Sequence, residues 1–248
     1  MFKMIYNIAR TELQMLFYSP VAWLILVVFG VQSGMLFADQ LAGLVSSQEM
    51  GYDIQGSTIS IFASRWGGVF TTMQNYLYFY IPLLTMSLVS KELSSGSIRL
   101  LYSSPITNTQ IIVGKFFSMM IYGLIMIGIL FLITLCSWAV VKDFELSMVL
   151  TGLLGLYLLI CAYAAIGIFM SSLTSYQIVA AIGTFAVLMV LSMIGGWWQD
   201  YDFIRDVTYW LSMPGRSGKF IAGLICSEDV LYFVIVVCLF LALTIIRL

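Results

Sequence analysis

Long apolar stretches punctuated by short polar breaks run through almost the whole chain. Six of them, at 21–38, 69–90, 116–141, 146–170, 178–196 and 230–246, reach or approach the length of a membrane-spanning helix. Such a helix needs about 20 apolar residues. Residues 146–199 carry no charge and are too long for one crossing, so the polar run SSLTSYQ at 171–177 divides them into two spans. Ahead of the first span, Lys3, Asn7, Arg10 and Gln14 recur at helical spacing and share one face. Ile5, Ile8, Ala9, Leu13 and Leu16 fall mostly on the opposite face. Residues 1–18 therefore read as an amphipathic helix lying in the membrane interface, its basic groups toward lipid headgroups. Such a helix serves either as a topological anchor or as a contact surface for a partner. Ser19-Pro20 ends it, and Pro20 is suited to open the first span.

Composition agrees with this pattern. Of 248 residues, 61% are apolar and 9% charged, against about 25% charged in soluble domains. So much apolar surface must face lipid. A net charge of −1 argues against an electrostatic nucleic-acid binder. No cleavable signal peptide is read at the start, and the four cysteines fit no metal or disulfide spacing. With both termini inside, Lys3, Arg10, Lys91, Arg99, Lys115 and Arg247 are cytoplasmic with two acids, Glu12 and Glu92. The other side then holds five basic residues and ten acids. The first span, with Lys3 and Arg10 before it and no base after it until Arg65, sets this orientation by the positive-inside rule. Aromatic residues at the predicted interfaces, such as Trp23, Trp197 and Trp198, read as depth anchors.

Catalytic chemistry is hard to build from this chain. It contains no histidine, and no charge falls near the middle of a predicted span, where a proton relay would need one. No phosphate-cradling GxxxxGK[ST] motif occurs. The reading is a non-catalytic protein without cofactor or metal. Gln32, Ser33, Thr85, Ser87, Thr134 and Ser137 are expected to hydrogen-bond between helices, and Gly30 and Gly34 form a GxxxG that permits close approach. Pro82 bends the second span, as a possible hinge or as a static kink.

One polar stretch stands apart. Residues 91–115, KELSSGSIRLLYSSPITNTQIIVGK, sit between the second and third spans. A helix is expected to run on from the second span through 94–102, with Ile98, Leu101 and Tyr102 on one face, and to stop before Pro105. Thr107 or Asn108 then caps the next helix. Ile98, Leu100 and Leu101 would be exposed apolar groups unless they lie on membrane or dock on something else.

The order Glu92, Gly96, Leu100-Leu101, Ser103-Ser104-Pro105-Ile106 and Gly114-Lys115 resembles the pattern of ABC-2 type transporter permeases, most closely gliding-motility-associated and related bacterial subunits. The layout along the whole chain is similar too, while Arg99 stands where many relatives have an acid. The resemblance implies one ABC-2 transmembrane domain over 1–248: an all-α polytopic fold of six transmembrane helices, with short re-entrant helices within the external segment 197–229 before the last span. Apolar FIAGLI at 220–225 fits such a segment, being too short to cross. It further implies a cytoplasmic coupling loop at 91–108, whose helix 92–103 docks on a separate ABC ATPase through Glu92, Gly96, Ile98, Arg99, Leu100, Leu101, Tyr102 and Pro105. A second permease subunit would complete an exporter in the bacterial inner membrane. Two other readings remain open: a channel or facilitator without an ATPase, and a scaffold subunit of a gliding or envelope machine.

Overall fold

The computed structural model describes residues 2–50, 57–64, 67–97, 107–140, 144–194 and 212–248, and among these every regular element is helical. The helices are α1 (Phe2–Tyr18), α2 (Pro20–Glu49), α3 (Ser57–Phe62), α4 (Val69–Thr85), α5 (Ser90–Ser95), α6 (Asn108–Val140), α7 (Leu146–Leu173), α8 (Gln177–Met193), α9 (Met213–Ile221) and α10 (Ser227–Arg247). Four of them, α2, α6, α7 and α10, are long and apolar enough to cross a membrane. Helices α4 and α8, at 17 residues each, match the two remaining predicted spans but are shorter.

Helix α7 is the axis of the molecule. Of its most apolar stretch 72% is buried, against 28%, 33% and 17% for α2, α6 and α10. It packs against α4, α6, α8, α9 and α10, which explains why its sequence is apolar all round with no polar face. Small residues let the neighbours in. A Cβ placed on Gly167 would sit 2.2 Å from Thr85 Oγ1, and one on Gly155 would sit 2.3 Å from Phe220 Cβ. The GxxxG of α2 is not used in this way: a Cβ on Gly30 would sit 3.8 Å from Ile129, and one on Gly34 would meet nothing within 4 Å.

Three boundaries differ from the sequence reading. Helix α2 runs on to Glu49, past the end of the apolar run 21–38; no proline or glycine pair interrupts residues 39–49. The second span stops at Thr85 rather than continuing into the loop, because Met86–Val89 form a turn. The short helix before the last span lies at Met213–Ile221, earlier than FIAGLI, and Gly223 at φ +87 ends that stretch in a left-handed conformation.

Helix α9 is wedged into the end of the bundle. Ser212 caps it, and Gln74 of α4 donates to the Pro214 carbonyl at 3.0 Å. Arg216 and Asp229, both buried, pair at 2.5 Å, and Lys219 lies 3.4 Å from the second Asp229 oxygen. The Arg216 guanidinium lies 4.3 Å from the centre of the Tyr232 ring. Charges read from sequence as an external loop are thus part of the packed interior. From there α10 runs back along α7, with Phe240 against Phe169, toward the end where α1 lies.

Candidate functional site

Of the candidate residues named from the sequence, Glu92 lies where α1, α5 and the start of α6 meet. Helix α1 presents Lys3, Asn7, Arg10 and Gln14 to the outside, as its spacing predicts. Its other face is covered by protein: Ala9 and Leu16 are buried, and Ile8 lies so close to Gly114 of α6 that a Cβ there would be 2.7 Å from it. Glu12 falls on this covered face, one helical turn beyond Ile8 and 8% exposed.

Its partner is Lys115, which is 1% exposed. The ammonium donates to Glu12 Oε1 at 2.6 Å, to Glu92 Oε1 at 2.7 Å and to the Leu88 carbonyl at 2.7 Å. All three of its protons are used, and one side chain ties α1, α5 and α6 together. Burial pushes the Glu92 carboxyl above its ordinary range, and the neighbouring Glu12 adds to this. The charge and hydrogen bond of Lys115 pull the other way without cancelling the desolvation.

The turn at Met86–Val89 supplies the second half of the site. Proline cannot donate a backbone hydrogen bond, so Pro82 weakens α4 one turn before it ends. Pro82 itself still lies within the helix; the break follows it. The break strands backbone groups that must find partners. Val89 stands at the N-cap of α5 but has no side-chain oxygen to offer. Ser171 of α7 takes that role from across the interface. Its hydroxyl accepts from the Val89 and Ser90 amides at 3.2 and 3.1 Å and donates to the Met86 carbonyl at 3.0 Å. Ser90 Oγ also donates to Met86 O, and the Leu88 carbonyl is the one Lys115 holds.

Beyond this clasp α5 is short. Gly96 closes it at φ +70, a left-handed conformation that glycine adopts at low cost. The expected continuous helix from the second span through 94–102 is therefore broken twice, at Met86–Val89 and at Gly96. Ile98, Arg99, Leu100, Leu101, Tyr102 and Pro105 lie outside the described residues. On the far side of the loop Thr107 caps α6 reciprocally with Gln110, at 3.3 and 3.4 Å, which selects Thr107 over Asn108.

Of the polar residues that the sequence reading expected to bond between helices, Gln32 does so, accepting from Tyr80 Oη. Ser33, Thr85 and Thr134 instead return their hydroxyls to carbonyls of their own helices. That satisfies the hydroxyl with no partner helix in register.

Sequence reading missed Glu12, Lys115 and Ser171 as site residues. Glu12 had a signal: an acid in register with Ile5, Ile8 and Leu16 on an apolar face calls for a buried base. Ser171 had none, since its partners are backbone groups 81 to 85 residues away.

Comparison with curated proteins returns no match. The model of the ABC-2 family transporter proteins matches residues 6–199. This match takes in α1 from residue 6 onward, the Lys115 junction, the Ser171 clasp and the spans through α8. Membrane subunits of that family are generally non-catalytic, and they work with an ABC ATPase. The chain belongs to the ABC-2 family of transporter proteins, as a multi-pass membrane permease subunit.

Proposed function

We propose that this subunit serves an exporter and that its ATPase docks on the loop 91–108, with the segment 92–103 as the contact. The chain would then sit in the bacterial inner membrane with both termini in the cytoplasm, paired with a second permease subunit. Lys3, Asn7, Arg10 and Gln14 would face headgroups, and α9 would belong to a re-entrant outer segment. The observation that carries this reading is the Lys115 junction. A buried ion cluster directly beside the loop joins it to the lead helix and to α6, so a push on the loop has a firm path into the bundle.

The double break changes how such a push would travel. A helix continuous with the second span would tilt that span as a lever. With α4 interrupted at Met86–Val89, displacement of α5 passes instead to α1 and α6 through Lys115 and to α7 through Ser171. In this reading the turn would take up the bend, and Pro82 above it lowers the cost of bending α4.

Copurification tests the docking. The wild-type chain should bring down an ATP-hydrolysing subunit, and the paired substitution Leu100→Asp with Leu101→Asp should release it while leaving the chain folded in the membrane. A solitary chain that supports uphill transport, or a paired variant that keeps its ATPase, would sink the reading. ATP-driven uptake of cargo by inside-out vesicles then separates an exporter from a scaffold, which would move no solute.

A further inference from the structure

Beside the Lys115 junction a cleft of about 430 Å³ opens between the α1–α2 elbow and the α4–α5 break. Its volume is in the range of small-ligand sites. The wall changes character along the bundle. Val21, Leu83 and Leu84 line it toward the spans, while Glu12, Lys91 and Glu92 line it at the end that carries α5. A site with an oily inner wall and a charged outer end, placed where spans meet interface, suits an amphiphile better than a soluble metabolite.

Charge decides which amphiphile. Two carboxylates share a single buried ammonium, whose three protons are already committed to Glu12, Glu92 and the Leu88 carbonyl. The junction therefore has more acceptor capacity than donors. Burial raises the Glu92 carboxyl above its ordinary range, and Lys115 lowers it without cancelling that rise. Next to it Lys91 is exposed and makes no ion pair among the described residues. The cleft thus offers an anionic inner corner and a cationic rim.

We propose that this cleft binds one zwitterionic phospholipid with a primary-amine headgroup. The ammonium donates to the Glu12 and Glu92 carboxylates, the phosphate pairs with Lys91, and an acyl chain lies along Val21, Leu83 and Leu84. A quaternary choline has no N–H to give the carboxylates, and a purely anionic headgroup meets repulsion there. Seated between elbow and break, the lipid sets the resting distance between two elements that the Lys115 junction connects. This goes beyond the ATPase reading and does not depend on it.

The detergent-purified chain, titrated in turn with phosphatidylethanolamine, phosphatidylcholine and phosphatidylglycerol, provides the test, with retained lipid read by native mass spectrometry. One phosphatidylethanolamine per chain is expected, held about ten-fold more tightly than phosphatidylcholine, which is roughly the worth of one charge-assisted hydrogen bond. Glu92→Gln should abolish that preference. Lys91→Ala, at an exposed position, should weaken the lipid without reversing the order. Equal retention of all three lipids, preference for phosphatidylglycerol, or a Glu92→Gln chain that still selects the amine would each overturn the proposal. None of these readouts involves ATP, so failure here is separable from failure of the docking.

Discussion

Lys115 brings a positive charge into the packed interior and is matched there by two acids from other helices. Breaking such a cluster by removing its centre leaves uncompensated carboxylates and costs about 3–5 kcal/mol. Lys115→Met should therefore lower the thermal unfolding midpoint in detergent sharply. Adding Glu12→Gln and Glu92→Gln to it should recover much of the loss, since the destabilisation lies in the orphaned charges. A triple variant no better than the single one would show that packing, rather than charge, dominates. Glu92 also makes a signed pH prediction. Its carboxyl titrates above the ordinary value of 4.5 in the folded chain, so between those two values the folded state holds the proton that the unfolded chain has lost. Stability from this group is complete below 4.5 and declines as pH rises through the window. Chemical unfolding of wild type and Glu92→Gln across that range should show the decline in wild type and its reduction in the variant.

At the scale of elements, the break between α4 and α5 is held by one hydroxyl on a neighbouring helix. Ser171→Ala removes the acceptor for two buried amides, at a cost of about 1–3 kcal/mol. Hydrogen exchange at the Val89 and Ser90 amides should accelerate selectively, while the interior of α7 keeps its protection. Unchanged exchange at those amides would mean that the turn is stable without the clasp. Cα positions along α7 explain why the clasp sits there: Gly167 lets Thr85 come close, and Ser171 follows one turn later on the same face. Close packing of α4 on α7 thus delivers the hydroxyl to the stranded amides.

For the whole molecule, the helices alternate direction around α7, and α1 and the last turns of α10 come to the same end. Arg216, Asp229 and the α9 wedge lie at the other. Cys226 at the N-cap of α10 is exposed, and in the proposed orientation, with the lead helix in the cytoplasm, it would lie on the outer side. A membrane-impermeant maleimide added to intact cells should modify Cys226, and Cys226→Ser should abolish the labelling. The other exposed cysteines, Cys136 and Cys238, lie within the apolar helices α6 and α10, where a water-soluble reagent does not reach. Labelling only after permeabilisation would invert the proposed orientation.

Much of this molecule was legible in one dimension. Apolar run length and the scarcity of charge determine that the solvent is lipid and the chain helical, because a backbone in hydrocarbon must satisfy its own hydrogen bonds. The spacing of Lys3, Asn7, Arg10 and Gln14 determines α1 and its outward face, and the sequence narrows the start of α6 to Thr107 or Asn108, because these are contacts within one or two turns. Only the folded chain decided that Glu12 and Lys115, 103 residues apart, share a buried bond. It alone decided that Ser171 closes a break near Ser90. Local periodicity specifies which face a side chain occupies, but a buried polar group is satisfied by whatever the packing of distant helices brings within about 3 Å.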